Sequence, residues 1–286
     1  MLKLDHVTKL YRIGAFGTKA RCAVDDVSLE LGPGEVVSLI GESGSGKTTI
    51  GRMILRLCAI TSGTITYDGA DISRFGRRDV RQYYGKVQGV FQDPFSSFNP
   101  VFKADRIFRM IRESYFPGVA GAEWTRMVGD TLEAVGLNPA DVLGKYPHQM
   151  SGGQLQRLLI ARALLLDIEL LVADEIISMI DASTRIDVLN LLGDLKARGL
   201  SILFITHDLS LGNYISERTV ILRNGSIVEM GATADVFGDP RHPYTQALLA
   251  SVPHLDEKWQ EHAPLPFEGD GSRALVQVAG DHFAAV

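Results

Sequence analysis

The sequence predicts an α/β protein built on an open, largely parallel sheet, and three segments carry that expectation. The apolar run EVVSLI (residues 35–40) leads directly into a glycine-rich loop and then into KTTIGRMILRL (47–57), whose apolar residues recur at helical spacing. A second strand–helix–strand succession follows downstream as IELLVAD (168–174), RIDVLNLLGDLKARG (185–199) and SILFIT (201–206). TVILRNGSIVEMG (219–231) then reads as a hairpin, because Asn224-Gly225 between two apolar runs suits a two-residue turn.

The other segments fill in around this frame. Residues 2–7 and AVDDVSLEL (23–31) alternate as strands do, and SGTITYDG (62–69) returns to strand character after the first helix. From about residue 100 to 165 apolar residues recur at helical spacing, broken at FPGVAG and GLNPADV, which predicts a helical insert. Pro243 is placed to open a helix through YTQALLASV. Beyond Pro253 the chain reads as loop, with weak strand character at ALVQV (274–278).

Composition narrows the class. At 286 residues, 45% hydrophobic and 22% charged, the chain has ample material for a core and is neither disordered nor fibrous. A net charge of −5 with no block of Lys or Arg argues against nucleic acid as the main partner. Cys22 and Cys58 sit in no CxxC or Cys/His spacing and read as reduced thiols. The N-terminus lacks the apolar centre of a signal peptide, and no uncharged window reaches the ~18 residues that span a bilayer. Any membrane role is therefore expected to come through partners.

Gly41-Glu42-Ser43-Gly44-Ser45-Gly46-Lys47-Thr48 fits GxxxxGK[ST], a phosphate-binding loop between strand and helix. Glycines let successive backbone N–H groups turn inward on phosphates, and the helix N-terminus adds its positive dipole end. Lys47 is expected to meet the β- and γ-phosphates and Thr48 to ligate Mg²⁺, with Thr49 beside them. Downstream, the strand Leu170–Ala173 ends in Asp174-Glu175. Many strands end in solvated acids, but with a phosphate loop upstream this pair fits a metal-holding Asp174 and a Glu175 that polarises the attacking water.

Ser151-Gly152-Gly153-Gln154 opens a further helix. Ser151 can cap it while the two glycines leave amides bare, giving a second anion-binding helix end in a chain that needs one for its own nucleotide. These residues resemble the signature of the ABC ATPase family, whose usual LSGGQ has Met150 here in place of Leu. The resemblance implies a P-loop NTPase (RecA-like) core with an antiparallel β part, a helical subdomain insert and a short C-terminal extension. On that reading residues 1–240 form the ATPase domain, with the helical subdomain at about 97–165, and 241–286 form the extension.

It also implies a head-to-tail dimer in which Ser151, Gly152, Gly153 and Gln154 close over the partner's ATP. Gln92 matches the Q-loop glutamine, expected at Mg²⁺ or the attacking water, and His207 the switch histidine that holds the γ-phosphate and orients Glu175. Tyr11 is placed like the aromatic that stacks on adenine, and Asp181 like the D-loop aspartate. Where the family stretch after the catalytic pair runs close to DEPTSALD, this chain has Ile176-Ile177-Ser178-Met179-Ile180-Asp181, which puts the D-loop geometry in question.

FQDPFSSFNP, YPHQMSGGQ and especially PRHPYTQALL (240–249) resemble the dipeptide and oligopeptide importers, and SGGQ points to the second of their two unlike ATPases. The implied partners are a second, unlike ATPase subunit, two membrane permease subunits and, indirectly, a solute-binding protein, at the cytoplasmic face of the inner membrane. The resemblance implies di- or oligopeptides as cargo, with oligosaccharides or nickel as the alternative. Many relatives carry a cysteine cluster in the tail; this tail has none, so no iron–sulfur cluster is expected. Soluble ABC ATPases of DNA repair or translation carry coiled coils or tandem cassettes that this chain lacks, and a P-loop kinase would leave SGGQ and His207 unexplained.

Overall fold

The computed structural model describes residues 1–13, 19–251 and 274–285. The chain divides into two compact units, Met1–Phe75 with Leu203–Val286, and Gly76–Ile202. Along the chain run β1 (Leu2–Ile13), β2 (Lys19–Leu31), β3 (Val36–Ile40), α1 (Lys47–Ile54), β4 (Ser62–Tyr67) and β5 (Ala70–Asp71). In the second unit follow α2 (Arg77–Lys86), β6 (Val87–Val90), α3 (Arg106–Tyr115), α4 (Gly121–Ala134), α5 (Pro139–Val142), α6 (Gly152–Leu164), β7 (Leu170–Asp174) and α7 (Ala182–Ala197). Next come β8 (Ser201–Thr206), α8 (Leu209–Ile215), β9 (Arg218–Arg223), β10 (Ser226–Ala232), α9 (Thr233–Gly238), α10 (Pro243–Ala250), β11 (Leu275–Ala279) and β12 (His282–Ala285).

In the first unit an antiparallel sheet of order β2-β1-β4-β5 accompanies a run β11-β12-β10-β9-β3-β8. Every residue of β3 is buried, as its run VVSLI, apolar but for Ser38, requires of a strand covered on both faces. It pairs in parallel with β9, from Val37 opposite Arg218 to Ile40 opposite Ile221. Asn224 (φ 47°) and Gly225 (φ 90°) form the tight turn between β9 and β10, with Arg223 opposite Ser226.

β1 and β2 run further than their alternation foretells, pairing as far as Ile13 with Lys19. The outer end of β2 is exposed, so backbone pairing alone holds it and no apolar pattern marks it. α1 is shorter than its periodicity suggests, because Arg56 adopts a left-handed conformation (φ 53°) just past its end. The expected strand ALVQV lies in β11, and the expected loop before it falls mostly outside the described residues.

In the second unit β6 and β7 pair in parallel, Val87 with Leu170 through Val90 with Ala173. The helices α3, α4 and α6 bury Phe108 and Ile111, Trp124, Val128 and Leu132, and Leu155, Leu158 and Leu159. These residues recur at the three- and four-residue spacing that defines one helical face. α2 has no counterpart in the sequence expectations: RRDVRQYYGK buries only Tyr83 and starts at Gly76, whose N–H is taken by Asp79.

Candidate nucleotide site

The first unit builds the candidate phosphate loop from the end of β3. A Cβ on Gly41 would stand 2.1 Å from the Leu222 carbonyl oxygen, and one on Gly46 (φ 108°) 2.4 Å from that of Ala23, so both positions admit only glycine. Gly44 also turns left-handed (φ 85°), and the Ser45 N–H closes the loop on the Glu42 carbonyl at 3.2 Å. α1 then starts at Gly46 with no side-chain cap, the arrangement of an anion-receiving helix end.

The Lys47 ammonium is buried and donates to the carbonyls of Gly41 (2.7 Å) and Glu42 (2.8 Å) and, at 3.4 Å, to Ser45 Oγ. Ser45 is buried as well, whereas Glu42, Ser43 and Gly44 are exposed and Thr48 and Thr49 half-buried. A glycine-shaped cradle, a helix end and one buried cation make a donor set suited to phosphate oxygens.

Two other expected residues lie in this unit. His207 is exposed, just after β8 and just before Asp208, whose carboxylate caps α8 through Ser210 N–H at 2.9 Å. Tyr11 projects from β1 with its hydroxyl 3.7 Å from Cys58 Sγ and Lys9 Nζ 4.9 Å from its ring centroid. Burial, followed by the Cys58 contact, raises its phenol pKa.

The second unit carries the remaining residues. Gln92 is exposed in the bend after β6, and the neighbouring Asp93 Oδ1 accepts from Phe95 N–H at 2.9 Å. Asp174 ends β7, 4% exposed, and Glu175 follows in a left-handed conformation (φ 50°) that turns the chain sharply off the strand. Ser178 Oγ and N–H both return to the Glu175 carbonyl, at 2.9 and 3.1 Å. The apolar stretch beyond has a packing reason: Ile176, Ile177 and Ile180 are buried and Met179 alone is exposed.

Ser151 caps α6 as expected, its Oγ accepting from Gln154 N–H at 3.2 Å. Gln154 Oε1 returns the bond to Ser151 N–H at 3.0 Å, a capping box that the S-x-x-Q spacing could have announced. A Cβ on Gly152 would stand 3.6 Å from the Met179 carbonyl oxygen, and one on Gly153 only 2.5 Å from Thr184 Cγ2. Asp181 caps α7 through Thr184 N–H at 3.0 Å, and α6 and α7 are packed glycine to threonine.

Sequence reasoning gave the C-terminal segment no part beside the phosphate loop. Tyr244 Oη accepts from Glu42 N–H at 3.2 Å, and the Arg223 guanidinium lies 4.9 Å from the Tyr244 ring centroid.

The profile of the ABC transporter family matches residues 24–178, more than half of the chain, and that of the oligopeptide/dipeptide transporter C-terminal region matches 228–277. The chain belongs to the ABC transporter ATP-binding family and is an ATPase. A putative peptide import ATP-binding protein of Brucella ovis is 44% identical over 235 residues, 82% of this chain and 73% of that protein. The oligopeptide transport ATP-binding protein OppF of Streptococcus mutans is also 44% identical over 235 residues, covering 82% and 76%. OppF of Bacillus subtilis is 40% identical over 242 residues, covering 84% and 79%. Among solved structures, the dimeric cassette MJ0796 in a post-hydrolysis state with ADP and Pi superposes with a TM-score of 0.73 at 28% identity, over 82% of this chain and 99% of that one.

Proposed function

We propose that this chain binds Mg-ATP on residues 41–49 and hydrolyses it to drive an importer of dipeptides or oligopeptides. The observation that carries the reading is the phosphate loop, where a buried Lys47 waits on the carbonyls of Gly41 and Glu42 at an uncapped helix end. In the bound state Lys47 and the first-turn amides of α1 neutralise the β- and γ-phosphates, and Tyr11 stacks on adenine. Thr48, Asp174 and Gln92 offer the oxygen donors that Mg²⁺ favours. Bound there, the ion would offset negative charge on the phosphate oxygens.

Glu175 draws a proton from the attacking water as its oxygen bonds the γ-phosphorus, and ADP departs with the electrons of the broken P–O bond, leaving Pi. His207 orients that glutamate and the γ-phosphate. Ser151, Gly152, Gly153 and Gln154 act on the ATP of a second, unlike cassette, with Asp181 between the two sites; the dimeric state of MJ0796 supports the pairing of two cassettes. Residues 1–240 form the ATPase domain, with the helical subdomain at about 97–165 and the extension from 241.

Among the described residues no helix is long and apolar enough to cross a membrane, so the motor docks on two permease subunits, fed indirectly by a solute-binding protein. A groove of about 400 Å³ lined by Val101, Phe102, Arg106, Arg109 and Tyr146 suits such a permease segment. Val101 is 74% and nearby Met110 55% exposed. The names of the relatives and the match over 228–277 support peptide as cargo.

The test is Glu175→Gln in the assembled transporter. ATP binding should persist while turnover falls by at least about 10²-fold, the scale of a lost general base. Turnover at the wild-type rate would refute the assignment. Stimulation of wild-type ATPase by peptide-loaded binding protein, against oligosaccharide- or nickel-loaded protein, decides the cargo.

A further inference from the structure

The C-terminal segment reaches the phosphate loop through one peptide group. Glu42 N–H and the Gly41 carbonyl belong to the same peptide plane; Tyr244 Oη takes the N–H at 3.2 Å, and the carbonyl takes Lys47 Nζ at 2.7 Å. An acceptor on the N–H polarises the carbonyl toward its own donor, and the plane cannot rotate without giving up both bonds.

Tyr244 is itself firmly held. Its ring packs in a cluster with Ile40, the last residue before the loop, and with Leu209, Ile221, Val228 and Val236. Its N–H is capped by His242 Nδ1 at 3.0 Å. The fully buried Glu229 carboxylate ties down the preceding turn, accepting from Arg241 N–H at 2.7 Å and His242 N–H at 3.0 Å. The same carboxylate meets His282 Nε2 of β12 at 2.7 Å. An unbroken set of contacts therefore runs from the last described strand through α10 to the lysine of the phosphate loop.

We propose that Tyr244 is a positioning residue for ATP binding, and that the C-terminal segment serves as a brace that pre-orders the Gly41–Glu42 peptide and with it Lys47. The inference rests on the reading that residues 41–49 hold the phosphates. A loop ordered in advance does not spend binding free energy on being ordered, so loss of the brace weakens ATP binding rather than the chemical step.

Tyr244→Phe keeps the ring and its packing and removes only the hydroxyl. Titration of the full chain with Mg-ATP should show affinity weakened about three- to tenfold, as expected for one lost hydrogen bond. In the assembled transporter KM for ATP should rise by the same factor, with kcat within about twofold of wild type. A fold-stabilising role alone would lower the melting temperature and leave KM where it was. ATP affinity and KM both within twofold of wild type overturn the brace, whatever happens to stability. Lys47→Ala separates the two levels of inference: if it still binds ATP normally the nucleotide-site reading has failed, and if it loses ATP while Tyr244→Phe does not, only the brace has.

Discussion

Gly153→Ala puts a number on the contact between α6 and α7. A Cβ at Gly153 would stand 2.5 Å from Thr184 Cγ2, well inside van der Waals contact, and at an ordinary 3.5 Å from Thr184 Cβ. Thr184 is not free to swing aside, since its Oγ1 donates to Asp181 Oδ2 at 2.8 Å and its N–H to Asp181 Oδ1 at 3.0 Å. The added methyl costs about 1–3 kcal/mol in overpacking, against a gain of about 1 kcal/mol in helix propensity. The net loss is then about 0–2 kcal/mol, each kcal/mol moving the melting temperature by roughly 2–4 °C in a chain of this size.

Thr184→Ser deletes Cγ2 and keeps the hydroxyl on Asp181. In that background only the propensity gain survives, and Gly153→Ala should become neutral or stabilising by up to about 1 kcal/mol. Urea unfolding of the four proteins measures the coupling, expected at about 1–3 kcal/mol. A coupling below about 0.5 kcal/mol, the ordinary error of additivity, refutes the packing argument.

Two further predictions follow from the geometry. Ile176 is 1% exposed, so Ile176→Ala should lose about 2–4 kcal/mol of stability in the same unfolding assay; a loss under about 1 kcal/mol would mean that the apolar D-loop stretch packs loosely. Burial holds the His242 imidazole below its ordinary pKa, with Glu229 opposing the shift and Arg223 adding to it. The native state thus refuses a proton that the unfolded chain accepts, so this contribution is complete above about pH 6.5 and declines as the pH falls toward the lowered pKa. His242→Asn keeps an acceptor for the Tyr244 N–H and removes the titration, and melting curves should show a shallower acid slope than wild type. Equal slopes would count against it.

The glycine-rich loop between β3 and α1 was legible because its constraints are local. Each glycine answers a backbone conformation or a close approach, and strand, loop and helix are consecutive in the chain. The Asn224-Gly225 turn, the Ser151 cap and the Pro243 helix start were legible for the same reason. The outer end of β2 and the helix α2 were not, since one is held by backbone pairing and the other buries a single side chain, and neither leaves an apolar period to read.

The sequence by itself determined the fold class and the family, because glycine, lysine and carboxylate chemistry at fixed spacing tolerates few substitutes. Only the tertiary structure decided what Ile176, Ile177 and Ile180 are for, since burial depends on neighbours distant in the chain. It also decided that Tyr244, some two hundred residues after the phosphate loop, meets the Glu42 amide. A hydrogen bond between remote segments has no period and no motif; it exists only once β3 and α10 are folded onto a shared core.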